Sequence, residues 1–314
     1  MALDPQAAEY LERLRTASPT APYLLSVEAA RESVVPVPPP ESVHVDITDS
    51  RITAEGREIA IRIYRPQGST AAADRPLVVF FHGGGWVLGD LNSHDGLCRV
   101  LTRDADAVLV SVEYRLAPEF PYPAALEDAL LAIRWVVQHA AELGANPNRL
   151  VVAGDSAGAN IAAAAALRSR DEGGPPIAFQ LLMYPVTDRS FETASYLDNA
   201  TGYQLTRSAM MWFWRQYLQD EDPDCERYTS VLRNPDLSGL PPAYVLTAEY
   251  DPLRDEGDAY AESLQAAGVT VAHRRCPGLI HGFLRRIDVF ERAWEEIALM
   301  GQAVRAAQSV RANP

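Results

Sequence analysis

At 314 residues, 47% of them apolar, the chain is long enough for one large α/β domain or two small ones, with a sizeable core. Its 28 Lys and Arg face 42 Asp and Glu, and the net charge of −14 disfavours nucleic acid and anionic membranes as partners. No apolar run is long enough to span a bilayer, and the start lacks the basic and apolar regions of a secretion signal. Three widely spaced cysteines, Cys98, Cys225 and Cys276, lack CxxC spacing. They are expected as free thiols of a cytoplasmic protein rather than metal ligands.

The first residues carry Ala7, Tyr10, Leu11 and Leu14 at helical spacing. "VVPVPPP", Val34 to Pro40, is too proline-rich for helix or strand and is expected as an extended linker. "VHVDITD" and "EIAIRIY" follow, the second alternating Ile59, Ile61 and Ile63 with polar or small neighbours, as a half-buried antiparallel strand does. Short apolar runs then recur: "PLVVFF", "AVLVSVEY", "LVVAG", "IAFQLLMY", "AYVLTA" and "VTVAHR". Helix-length segments such as "PAALEDALLAIRWVVQHAAEL" separate most of them, which predicts a mostly parallel sheet flanked by helices.

Residues 186–240 break the alternation. They contain no strand candidate but do hold "LTRSAMMWFWRQYLQ", which is apolar on more than one side. This insert, with residues 1–45, is expected to cap the C-terminal edge of a sheet built from 46–185 and 241–314. An ordinary excursion packed on the core is the alternative.

"LVVAGDSAGAN" places Ser156 in G-x-S-x-G between an apolar strand and an Ala-rich helix. That context suits a nucleophile held above the sheet on a tight turn whose glycines leave room for the backbone. "VVFFHGGGWVLGD" ends another strand in three glycines. Bare backbone N–H groups can stabilise the oxyanion of a tetrahedral intermediate, and Gly83, Gly84 and Ala157 are the expected donors. Trp86, Asp155, Trp212 and Trp214 are candidate substrate contacts. For Asp155, orienting the loop or a water and serving as a helix N-terminal acid stay open.

Six histidines compete for the role of base. His44 is read in an early strand, His139 in a helix and His273 in a late strand; His82 is placed in the glycine loop and His94 at a helix start. His281, in "CPGLIHGF" after the last strand, comes last in the order Ser, Asp, His and is the expected base. "YVLTAEYDPLRDEG" offers Glu249, Asp251, Asp255 and Glu256. Asp251 follows the strand and precedes Pro252, which cannot continue the ladder, so it is the expected acid. Asp255 and Glu256 suit the first turn of the next helix.

The stretches "FHGGGWVLGD", "VEYRLAPEFPYPAALED", "GDSAGAN", "MYPVTD", "LTAEYDPLRDEG" and "HGF", together and in this order, resemble the bacterial hormone-sensitive-lipase-like carboxylesterases of the α/β-hydrolase superfamily. The resemblance implies an α/β-hydrolase fold, hydrolysis of small-molecule esters with short or medium acyl chains, and no cofactor. It also implies a helical cap, with an acyl-pocket wall on "GYQLTRSAMMWFWRQYL". The sequence departs from the family at Ala159, where glycine is common. A peptidase or amidase, and a ligand receptor that does no chemistry, are the rival readings on the same fold. A homodimer is left open.

Overall fold

The computed structural model describes residues 2–17, 19–54, 56–68, 74–219 and 226–307. Helices α1 (Pro5–Ala17) and α2 (Val27–Glu32) precede the hairpin of β1 (Val45–Ala54) and β2 (Arg57–Pro66). Alternation then begins with β3 (Leu77–Phe81), α3 (Asp95–Ala105), β4 (Val108–Val112), α4 (Ala124–Gln138) and α5 (Ala140–Leu143). It continues through β5 (Leu150–Asp155), α6 (Ala157–Glu172) and β6 (Phe179–Met183). The insert holds α7 (Ala194–Asp198), α8 (Arg207–Leu218) and α9 (Glu226–Thr229), and no strand among its described residues. The chain closes with β7 (Ala243–Tyr250), α10 (Arg254–Ala266), β8 (Val271–Ile280) and α11 (Glu291–Ala306).

The described strands form one sheet in the order β1-β2-β4-β3-β5-β6-β7-β8. The pairs β1–β2 and β2–β4 are antiparallel, and every later pair is parallel. Strands β3, β4, β5 and β6 are buried at every residue, because helices cover both faces. Residues of α4, α6 and α10 fill one apolar core, and residues of α3 and α11 fill the other. The parallel strands therefore end along one edge, where the chain leaves β3 for His82, β5 for Ser156, β7 for Asp251 and β8 for His281.

Three expectations are corrected. The segment after Pro123 is two helices, because His139 adopts φ −102° and ψ 11° and its Nδ1 bonds the Trp135 carbonyl at 2.8 Å. The run "CPGLI" is strand, not loop: β8 continues to Ile280 past a shift in register between Ala248 and Tyr250. Where the ladder is interrupted, the Gly278 N–H donates to Glu249 Oε2 at 2.7 Å instead. His44 precedes β1 rather than lying in it. Of residues 1–45, helix α1 lies on the β8 side. Its buried Tyr10 meets Phe290 edge-on at 5.6 Å, and the Asp4 N–H bonds Gly278 O at 2.9 Å, so α1 sits beside β8 and α11. The N-terminal piece that meets α8 is the 3₁₀ turn Pro22–Leu24.

Candidate active site

The turn at Ser156 is tight for a reason its glycines make visible. A Cβ on Gly154 would lie 2.3 Å from the carbonyl carbon of Gly158, and one on Gly158 would lie 2.0 Å from Phe81 O. Ser156 has φ 57° and ψ −120°, a strained conformation for a side-chain-bearing residue. Its N–H donates to Met183 O at 2.9 Å, and its carbonyl accepts from Asn160 N at 3.1 Å. Strand β6 and helix α6 thus hold the strained residue from both sides.

His281 comes to this serine from the far end of the parallel strands. Its Nε2 lies 3.0 Å from Ser156 Oγ, and its Nδ1 lies 2.7 Å from Asp251 Oδ2. The other Asp251 oxygen accepts the Leu253 N–H at 2.9 Å. Asp251 is fully buried, while Ser156 and His281 keep 7% and 9% of their surface exposed, enough for a reactant to reach them. The Tyr184 ring packs 4.7 Å from the His281 ring; burial pushes its phenol well up, so it adds no charge beside the imidazole. His139 and His273 lie elsewhere: His139 stacks on Trp135, and His273 pairs with Asp258.

The glycine loop requires a correction. The Gly83 N–H donates to Asp155 Oδ1 at 2.7 Å, so it is engaged and is not an oxyanion donor in this arrangement. Asp155, 4% exposed, is correspondingly not a substrate contact. Burial alone would raise its carboxyl; His94 Nε2, 3.1 Å away, and the Gly83 N–H overcome that and hold it below the usual carboxylate range. Among the described residues, no hydrogen bond engages the N–H of Gly84 or Gly85. Both have positive φ, 122° and 62°, which glycine adopts without strain.

Two tryptophans also prove to be packing residues. Trp86 is fully buried and stacks on Tyr217 with centroids 4.3 Å apart; Trp214, 2% exposed, lies 4.7 Å from Trp86. These rings join the glycine loop to α8 and face away from solvent. The α8 residue that approaches the loop is Phe213, whose ring occupies the space where a Cβ on Gly85 would fall, at 2.3 Å. Trp212 is half-buried and meets Phe213 edge-on at 5.1 Å. The signal for this was present: Met210, Phe213, Trp214 and Tyr217 recur at i, i+3, i+4 and i+7, the buried stripe of α8, and Trp212 is off it.

His82 anchors the start of the loop. Its Nδ1 donates to Gly83 O at 2.9 Å, its Nε2 has no partner among the described residues, and Tyr114 stacks on it at 4.3 Å. Burial first, then the neighbouring His94, lowers its pKa from 6.5 to about 4, so the native ring stays neutral. Below pH 6.5 the unfolded chain takes up a proton that the native state refuses. This residue's contribution to stability is therefore present above pH 6.5 and is lost as pH falls toward 4, by about 3 kcal/mol in total. Urea melts of wild type and His82→Gln from pH 7.5 to 4 check this: the variant is expected to lose less stability with acid.

Ala159 lies in the first turn of α6 with its methyl fully buried. Ala159→Gly is expected to cost about 1–2 kcal/mol, from helix propensity and lost methyl burial, and to keep turnover within about threefold. Gly158→Ala, which drives a methyl into the Phe81 carbonyl, is expected to lose about a hundredfold or more by displacing the serine. Urea melts and butanoyl ester turnover check the pair; comparable losses in both would show that the Ala159 methyl shapes the catalytic turn.

A family model described as the alpha/beta hydrolase fold matches residues 78–285. The chain belongs to this family, in its hormone-sensitive-lipase-like carboxylesterase branch. It is 46% identical over 267 residues to carboxylic ester hydrolase LipN of Mycobacterium tuberculosis, covering 83% of this chain and 70% of that one. It is 36% identical to an ethyl acetate hydrolase of Pseudomonas putida, covering 97% and 99%. A thermostable esterase from Pseudomonas putida ECU1011 superposes with a TM-score of 0.91 at 38% identity, covering 99% of both chains. The protein is a carboxylic ester hydrolase. No helix among its described residues is long and apolar enough to cross a membrane.

Proposed function

We propose that ester hydrolysis runs through an acyl-enzyme on Ser156. The observation that carries this is the continuous chain from Ser156 Oγ to His281 Nε2 at 3.0 Å and from His281 Nδ1 to Asp251 at 2.7 Å. His281 takes the serine proton as Oγ attacks the ester carbonyl, and Asp251 orients the imidazole and stabilises the imidazolium. The tetrahedral oxyanion is received by the N–H groups of Gly84, Gly85 and Ala157. Gly83 is replaced in this role by Gly85, because the Gly83 N–H is bound to Asp155. Collapse expels the alcohol, which leaves with the proton held by His281. Water, deprotonated by His281, then attacks the acyl-enzyme and releases the acid.

The substrate class proposed is esters of short to medium acyl chains, with residues 1–45 and 186–240 as a cap over a core of 46–185 and 241–314. Support comes from the Phe213 ring against Gly85, which limits room beside the proposed oxyanion donors, and from the likeness to an ethyl acetate hydrolase. The same reading places the enzyme in the cytoplasm, in keeping with the unpaired thiols of Cys98 and Cys276; Cys225 lies outside the described residues. Sedimentation tests whether the enzyme assembles as a homodimer. An ester panel of graded acyl length, each ester beside its matching amide, tests the substrate class. Turnover is expected to peak between butanoyl and octanoyl esters and to be slow on amides, and Phe213→Ala is expected to move the peak to longer chains. A profile unmoved by Phe213→Ala rules out that ring as the pocket wall; amides cleaved as fast as esters would favour an amidase.

A further inference from the structure

Cap helix α7 grips the backbone that carries Asp251. Ser195 Oγ donates to Pro252 O at 2.6 Å and accepts from the Asp255 N–H at 3.2 Å. The Ser195 N–H donates to Asp255 Oδ2 at 2.7 Å. Asn199 Nδ2 donates to the carbonyl of Asp251 itself at 3.3 Å. Ser195 is fully buried and Asn199 is 3% exposed, so water does not compete for these contacts. A second grip lies beside the first. Glu256 Oε1 accepts the N–H groups of Thr187 at 2.7 Å and Asp188 at 3.2 Å, and Thr187 Oγ1 donates to Glu256 O at 2.8 Å.

The need for such contacts follows from where the acid sits. Strand β7 loses regular register between Ala248 and Tyr250, so Asp251 lies just beyond dependable ladder support. Pro252 has no N–H with which to bond a neighbour. Ser195 of α7 and Asn199 just after it supply hydrogen bonds at two consecutive carbonyls: that of Pro252, and that of Asp251, which also accepts the Arg254 N–H at 3.1 Å. A hydrogen bond contributes modestly to stability, but the placement of a catalytic group tolerates little error.

We propose that Ser195 and Asn199 are positioning residues of the ester hydrolysis. Through the backbone of Asp251 and Pro252 they hold the carboxylate on His281, which makes the insert a support of the reaction centre as well as a cover over it. The proposal rests on the reading of Ser156, His281 and Asp251 as the reacting triad. Neither residue touches substrate; both act through Asp251.

The test compares Ser195→Ala, Asn199→Ala, the double variant and Ser195→Thr in the full-length enzyme. For a butanoyl ester, kcat is expected to fall on the order of tenfold in each alanine variant and further in the double, with KM within about twofold. The most downfield imidazole N–H proton in the NMR spectrum, assigned by its loss in Asp251→Asn, should move upfield or broaden as the Asp251–His281 hydrogen bond loosens. Ser195→Thr retains the hydroxyl and should recover most of kcat. Should Ser195→Ala fail to fold, Asn199→Ala carries the test alone, because its named contact is with Asp251 O. The proposal is overturned if folded alanine variants keep kcat and an unmoved downfield proton, whatever their melting temperature. It is also overturned if activity is lost through KM alone. Phosphonate labelling separates this failure from that of the triad: a wild-type enzyme labelled away from Ser156 sinks the triad, whereas normal labelling with unchanged kcat in the double variant sinks only the positioning role.

Discussion

Ser156→Ala is expected to lower turnover by about a million-fold while leaving the fold intact. Both halves of that expectation have a structural cause. Serine and alanine share a Cβ, so the strain of φ 57° is no greater for alanine, and the backbone bonds to Met183 O and Asn160 N do not involve the side chain. What disappears is the Oγ that sits 3.0 Å from His281 Nε2. The residual rate would reflect backbone donors acting on a water attack. A phosphonate ester should attach to a single serine, and mass spectrometry of the digest should find it in the peptide containing Ser156. Label on another serine, or a variant that retains a substantial share of turnover, would displace Ser156 as the nucleophile.

His281→Ala is expected to cost a loss of about the same size, because nucleophile and base fail as a unit. The informative control is His273. Its Nε2 lies 2.7 Å from Asp258 Oδ1, the same separation as between His281 Nδ1 and Asp251 Oδ2. Histidine–carboxylate contacts thus recur: His281 pairs with Asp251 and reaches Ser156, His273 pairs with Asp258, and the buried His94 pairs with Asp155 and meets Ser93 Oγ at 2.9 Å. At the second pair, Asp258 Oδ1 also accepts the Thr247 hydroxyl proton, so that hydroxyl points at a carboxylate and not at the imidazole. His273→Ala and His139→Ala should keep turnover, whereas His281→Ala should abolish it. An inactive His273→Ala with normal melting would transfer the role of base to the second pair.

Much of this architecture was legible because burial on both faces leaves a simple trace. Strands such as "LVVFF" and "VLVSV" are apolar at nearly every position, and glycines cluster where the backbone has no room for a Cβ. The order of Ser156, Asp251 and His281 after successive strands was legible for the same reason, and the structure brings the three together. The N–H engaged by Asp155 was not legible, since one carboxylate rotamer decides whether Gly83 is available. Nor was the docking of α1, whose apolar face would suit any apolar surface until Phe290 supplies one. The positive φ of Tyr184, 34°, and the reach of Ser195 and Asn199 to the acid loop are tertiary facts with no local pattern to announce them. Aromatic residues on α8 misled in an instructive way: ring size drew attention to Trp212, which is off the buried stripe, and to Trp214, which is on it but packs against Trp86, while the ring against Gly85 is that of Phe213.

The stack of Trp86 on Tyr217, with Trp214 alongside, also gives the enzyme an optical signature. The two indoles lie 4.7 Å apart with their planes inclined at 56°. Chromophores that close and that oblique couple their electronic transitions, and the coupling falls with the inverse cube of their separation. One indole belongs to the loop after β3 and the other to the insert, so their shared near-ultraviolet circular dichroism reports the seam between two parts of the chain rather than the folding of either. Heat or denaturant that parts the seam first would extinguish this band while the far-ultraviolet helix signal persists, which makes the order of disassembly readable without any label.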